Sequence, residues 1–154
     1  MAGPQKTEDP FFHASAVAFG ARGVLILGPS GAGKSALAVE LVSRGGRLVG
    51  DDRLMISGAS GVLTARPRPG FEGQIECRGV GLLNVPSVSE AEIALVVDAG
   101  RVERDRLPPA REIFLFGCSL PLLHRAEGAQ FPAAVQLMLT GSQINSDLKE
   151  PPAR

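Results

Sequence analysis

Apolar residues fall in short runs cut by glycine and proline, which predicts many short strands joined by tight turns. The first run, residues 14–19, ends at Gly20-Ala21-Arg22-Gly23, and Val24-Leu25-Ile26-Leu27 follows at once. This spacing predicts two strands linked by a hairpin or tight turn. The second strand is apolar on both faces and therefore belongs inside a sheet. Beyond residues 28–33 the period changes: Leu37 pairs with Leu41 and Ala38 with Val42 at helical spacing, while Glu40 and Arg44 share a different face. An amphipathic helix is predicted, stopped by Gly45-Gly46. Residues 47–50 then read as a short strand that delivers Asp51 and Asp52 at its end, beside the strand that precedes the helix. Together these make one βαβ-like unit.

Residues 54–57 and 62–66 flank Gly58-Ala59-Ser60-Gly61, a second hairpin. The stretch 67–73 (PRPGFEG) has two prolines and two glycines and is expected to be a mobile loop. Residues 93–97 are a β-branched run ending at Asp98. Charge and Pro108-Pro109 mark 100–112 as an exposed loop, 113–116 as a last strand, and 131–139 as a helix with Val135 and Leu139 on one side. The expected organisation is a flexible segment over 1–12, one domain over 13–140 and a frayed polar tail over 141–154. The fold class is α/β: a mixed β-sheet, with a helix after the glycine-rich loop.

Composition narrows the function. A chain of 154 residues is about one domain, and 44% hydrophobic residues suffice for a core. Sixteen Lys+Arg balance sixteen Asp+Glu, so the surplus of positive charge that a generic nucleic-acid binder needs is missing. Without Trp or Tyr, single-stranded nucleic acid would have only phenylalanines to stack on. Cys77 and Cys118 form no C-x-x-C pair, which argues against zinc or a disulfide framework and fits a cytoplasmic setting. The charged, proline-bearing N-terminus does not read as a signal peptide, and no apolar stretch reaches membrane-span length. Neither nucleic acid nor a membrane is expected as a partner.

Gly28-Pro29-Ser30-Gly31-Ala32-Gly33-Lys34-Ser35 matches G-x-x-x-x-G-K-[ST], the phosphate-binding P-loop. Glycines let backbone N–H groups curl around phosphate oxygens, Lys34 brings a point charge to the β and γ phosphates, and the Ser35 hydroxyl can bind Mg²⁺. The preceding strand and following helix are the required context. A nucleotide or pyrophosphate is therefore the expected ligand, on a P-loop kinase-like domain. No N-K-x-D base-recognition motif of a GTPase is present, and a motor ATPase needs more chain, which leaves a small kinase. Asp51 and Asp52 supply the remaining chemistry: one carboxylate near the metal, the other accepting the proton of an attacking hydroxyl.

The runs GPSGAGKSALAVELVSRGGRLVGDDRLMI and IECRGVGLLNV resemble the catalytic domain of HPr kinase/phosphorylase. Glu76, Arg78, Gly79, Gly81, Asn84 and Val85 match that family's E-x-R-G-x-G-x-x-N-V signature. The resemblance implies that ATP or pyrophosphate phosphorylates a serine of the phosphocarrier HPr, and that phosphorolysis reverses the modification. It implies Asp52 as general base and acid, Asp51 in support, and Ser35 and Glu76 as Mg²⁺ ligands. It also places His13 near the transfer site and Arg106 as an active-site arginine. His124 is read as structural, and Arg125 within Pro121-Leu122-Leu123-His124-Arg125 as a stand-in for a family arginine tied to phosphorolysis. No counterpart of the family's N-terminal domain is expected ahead of Gly28, and a homo-oligomer, a hexamer by resemblance, is expected. Two other readings stay open. One is a P-loop kinase for a small-molecule hydroxyl with the arginines of 101–111 as a lid, the other a nucleotide-binding module without catalysis.

Overall fold

The computed structural model describes residues 9–141. In chain order its elements are β1 (Ser15–Phe19), β2 (Arg22–Leu27), α1 (Lys34–Ser43), β3 (Arg47–Gly50), β4 (Leu54–Ala59) and β5 (Val62–Pro67). There follow β6 (Gln74–Cys77), β7 (Gly81–Asn84), β8 (Ala91–Val102), β9 (Glu112–Leu115), β10 (Cys118–Arg125) and α2 (Gln130–Thr140). The architecture is mixed α/β. The main sheet runs β3-β1-β2-β8-β10-β9, with the β4–β5 hairpin attached to β8 through β5, and β6–β7 is a separate two-stranded ribbon.

β2, β8 and β10 are mutually parallel, while β1 is antiparallel to both β2 and β3. β3 therefore runs the same way as β2 with β1 between them. This corrects the sequence expectation that the strand bearing Asp51 and Asp52 lies next to the strand before the loop. Because that edge of a sheet gathers the C-terminal ends of its parallel strands, the loops after β2, β3 and β8 open on one side of the molecule.

Each face of the sheet is covered differently. Val17, Val24, Ile26, Leu48, Leu95 and Val97 pack under α1 and α2 through Leu37, Leu41, Phe131, Val135 and Leu139. On the opposite face Ala16, Leu25, Val49, Ile93 and Val96 meet Leu54, Leu63 and Ala65 of the β4–β5 hairpin. β2 is thus buried on both sides, as its continuous apolar run requires. The end of α1 follows its glycines: Gly45 takes φ 104, its amide bonds Val42 O and that of Gly46 bonds Leu41 O, each at 3.0 Å. These two bonds cap the last carbonyls of the helix in a Schellman arrangement.

Three stretches differ from expectation. β8 does not end at Asp98 but continues to Val102, and its register with β10 shifts between His124 and Arg125. Residues 113–116 are not the last strand. β10 follows through a turn at Phe116 (φ 49) and Gly117 (φ 78) and inserts between β8 and β9. Pro121 disguised it, since proline inside a run argues against a central strand. Here pairing with β8 begins only at Leu122, and the Leu122 amide points the other way to Arg111 O at 2.9 Å, so the missing N–H of Pro121 costs no ladder bond. It follows that Pro121 to Arg125, read from sequence as a family loop, lies on a strand. The tail beyond residue 141 and residues 1–8 lie outside the described residues.

Candidate active site

Residues 28–33 leave β2 and lead directly into α1. Gly28 (φ 142), Gly31 (φ 85) and Gly33 (φ 96) adopt backbone angles that side chains disfavour. A Cβ on Gly28 would also lie 3.1 Å from Gly100 N, so the loop rests against the backbone of β8. α1 has no side-chain cap, which leaves its first-turn amides to an anion or water. Lys34, the first helical residue, is only 9% exposed. Its Nζ donates to Gly28 O at 2.8 Å and Pro29 O at 3.3 Å, and no carboxylate pairs with it among the described residues. An ammonium held only by carbonyls has no carboxylate partner to give up when an anion arrives.

Asp51 and Asp52 follow β3 and occupy opposite environments. Asp51 is the hub: its Oδ1 accepts from Ser15 Oγ and from Ser35 Oγ, both at 2.8 Å, and its Oδ2 accepts from the amide of Glu76 at 3.2 Å. One carboxylate therefore ties together β1, α1 and β6. Asp52 is 62% exposed, adopts φ 70, and donates its amide to Ser15 Oγ at 3.1 Å. Its carboxylate stays clear of the Asp51 hydrogen bonds, with Arg53 Nε 4.0 Å away. Lys34, Ser35, Asp51, Asp52, Glu76 and Arg78 all line one cleft, together with Ser30, Gly31 and Cys77.

The other residues singled out from sequence lie apart. His13, 55% exposed, is not among the lining residues; its Nε2 lies 2.9 Å from Asp9 Oδ2. Arg53 Nη1 binds the same oxygen at 3.0 Å, so His13 connects to Asp52 through Asp9 and Arg53. Phe11's amide, the histidine hydrogen bond and the nearby guanidinium hold the Asp9 carboxyl below its ordinary value. Arg106 is exposed on the loop 103–111 and does not line the cleft. Arg125 Nε is committed to Ala99 O at 3.1 Å. His124 packs beside Glu103, with Nδ1 3.9 Å from Oε1.

Sequence reasoning missed Ser15, Cys77 and Glu103. Ser15 is the lone hydroxyl in an otherwise apolar strand, a signal visible in SAVAF, and it is fully buried. Glu103 is the clasp of the loop 103–111. Its Oε2 accepts the amides of Asp105 at 3.1 Å and Arg104 at 3.2 Å, and its Oε1 takes Arg111 Nη1 at 2.7 Å. The Asp105 amide chiefly, with Arg111 beside it, holds this carboxyl below its ordinary value.

The donors fit a hard cation. Ser35 Oγ and the Asp51 carboxylate are oxygens already within 2.8 Å of each other, with the Glu76 side chain on the same cleft. Among the described residues no three or more His, Cys, Asp and Glu side chains are grouped so as to hold a metal ion by themselves. One or two protein oxygens completed by phosphate and water are how Mg²⁺ is usually held, rather than a full protein cage.

Comparison with known proteins shows the family. The model of the HPr serine kinase C-terminal domain matches residues 5–99, a segment that contains every lining residue of the cleft. HPr kinase/phosphorylase of Clostridium acetobutylicum is 42% identical over 82 residues, which are 49% of this chain and 27% of that protein. The enzyme of the same name from Mycoplasma mycoides is 32% identical over 93 residues, 56% of this chain and 30% of that protein. The matched chain thus spans about a quarter of the length of these curated relatives. The solved HPr(Ser) kinase/phosphatase of Coxiella burnetii shares the fold with a TM-score of 0.72 at 22% identity, over 90% of this chain and 99% of that one. With more than half of its residues under the family model and the signature acids and glycine loop on one cleft, the chain belongs to the HPr serine kinase C-terminal domain family.

Proposed function

We propose that the chain is the catalytic part of a Mg²⁺-dependent serine kinase that transfers a phosphoryl group from ATP or pyrophosphate to an HPr-type phosphocarrier protein, and that phosphorolysis runs the same site in reverse. The observation that carries this reading is the convergence of Lys34, Ser35, Asp51 and Asp52, from two separate stretches of sequence, on one cleft.

In the kinase direction Asp52 takes the proton from the serine hydroxyl as that oxygen bonds to the terminal phosphorus of the donor and the bond to the leaving phosphate oxygen breaks. Its exposure suits a base that must meet the side chain of another protein. In the reverse direction inorganic phosphate attacks phosphoserine, pyrophosphate forms, and Asp52 returns the proton to the serine oxygen, as microscopic reversibility requires. Lys34 exchanges its carbonyl contacts for phosphate oxygens and neutralises developing charge. Ser35, Asp51 and Glu76 would hold Mg²⁺, which when bound neutralises charge on the transferring phosphates. His13 acts at a distance, through Asp9 and Arg53; Arg106, outside the cleft lining, would take part only if the 103–111 loop carried it to the phosphoryl group. The reading carries with it a cytoplasmic enzyme assembled as a homo-oligomer, a hexamer by family resemblance.

A second reading, a kinase of small-molecule hydroxyls, draws on the exposed Arg104 and Arg106, which could close over a small substrate. Incubation with purified HPr and either Mg-ATP or Mg-pyrophosphate, followed by mass spectrometry, separates the two. The proposal expects one phosphoserine on HPr, lost again when inorganic phosphate is added. An unmodified HPr under both donors would refute it.

A further inference from the structure

Only two polar or charged residues are buried among those described, Ser15 and Lys34, and both serve the same cleft. The role of Lys34 follows from its motif; nothing in the motif accounts for Ser15. It stands on β1 opposite Ile26 of β2, with Ala14, Ala16 and Val17 as buried neighbours, where an apolar side chain would be the simplest choice. Burying a hydroxyl there costs free energy unless it is fully hydrogen-bonded. Ser15 is so bonded: its single O–H donates to Asp51 Oδ1 at 2.8 Å, and its oxygen accepts the amide of Asp52 at 3.1 Å.

One buried hydroxyl thus holds the side chain of the first acid and the backbone of the second. The second contact falls where it is needed, because Asp52 adopts φ 70, a conformation uncommon for a residue with a Cβ and one that requires support from its surroundings. From this geometry we infer that Ser15 is a positioning residue for phosphoryl transfer: it turns the Asp51 carboxylate toward Ser35 and locks the backbone that aims Asp52 at the acceptor. Ser15 itself is fully buried and is not among the residues that line the cleft. The inference rests on the kinase reading above for its catalytic consequence, but the locking of Asp52 is testable without it.

The test compares Ser15→Thr with Ser15→Val, two side chains of nearly the same shape that differ in the hydroxyl, alongside Ser15→Ala. Any overpacking from the added methyl is common to the first pair, so their difference reports the hydroxyl alone. The first readout is amide hydrogen exchange of Asp52 in the full chain. The Val and Ala variants should lose protection at that amide while the Thr variant keeps it. The second is transfer to HPr, where a small misplacement of a base is costly: kcat should fall on the order of tenfold to a hundredfold in the Val and Ala variants, with the KM for nucleotide within about threefold, and Thr should restore most of it. Equal Asp52 protection in the Thr and Val variants, or equal kcat at matched thermal stability, would overturn the inference. If the wild-type chain transfers no phosphate at all, the kinase reading fails, whereas the exchange experiment still decides whether Ser15 locks the acids.

Discussion

Two carboxylates in this molecule do similar geometric work with different consequences. Asp51 collects two hydroxyls and an amide from three different elements, and Glu103 collects two amides of its own loop and the guanidinium of Arg111. Every donor to Asp51 is neutral, so no cationic partner among its hydrogen bonds competes with an incoming metal ion. Arg111 neutralises Glu103, which is 8% exposed, and that charge is spent on closing the loop 103–111. The lesson is that a count of hydrogen bonds does not tell a site from a staple; the charge of the donors does.

The sharpest way to break the comparison is to remove each charge in turn, beginning with Asp52, which neither network holds by its carboxylate. Asp52→Asn should reduce transfer by roughly a hundredfold to ten thousandfold, the range spanned by loss of a general base, and leave nucleotide affinity measured by calorimetry unchanged. A variant as active as the parent would remove Asp52 from the mechanism. Asp51→Asn comes next. The two hydroxyl bonds can be kept by the remaining oxygen, while the new amide nitrogen can no longer accept from the Glu76 N–H and the charge is lost. The Mg²⁺ concentration needed for nucleotide binding should therefore rise by about tenfold or more, with a loss of thermal stability limited to about one hydrogen bond. A large drop in stability with unchanged Mg²⁺ dependence would make Asp51 a staple like Glu103.

Arg106→Ala probes whether the clasped loop serves the reaction at all. Loss of one charge-stabilising group predicts about a tenfold fall in kcat at unchanged thermal stability; an unaltered kcat would leave the loop structural. The smallest effect belongs to Glu103 itself. Its folded-state pKa lies below the ordinary 4.5, so its contribution to stability is complete above that value and is lost as pH falls through the lower, folded-state value. Urea unfolding of wild type and Glu103→Gln should therefore differ at neutral pH and converge in acid. Parallel curves across that window would show that the charge of Glu103 does not contribute.

Elements whose signal is local were legible in the chain. The first hairpin, α1 with its glycine stop and α2 rest on periodicity and turn chemistry within a dozen or so residues, and the glycine loop and the two acids were visible as motifs. β10 was not, because Pro121 looks disqualifying until one knows that β8 pairing starts beyond it. The full length of β8 escaped for a related reason: Gly100 and Arg101 do not read as strand, and only the fold brings the loop at Gly28 and the Arg125 side chain against this end of it. His13 and Arg106 could be nominated by resemblance, but that neither lines the cleft depended on how their segments are laid against the rest of the fold.

The amino-acid order by itself determined that a glycine loop would precede a helix and that two acids would end a short strand, since each follows from spacing and steric rules that act on neighbours in the chain. Only the tertiary structure decided that β1 would come between those strands and bring Ser15 to both acids at once. A hydroxyl in an apolar strand has no partner to declare until another strand is laid beside it. Hydrogen bonds reach only about 3 Å, so which groups share one is settled by sheet order and register rather than by sequence distance.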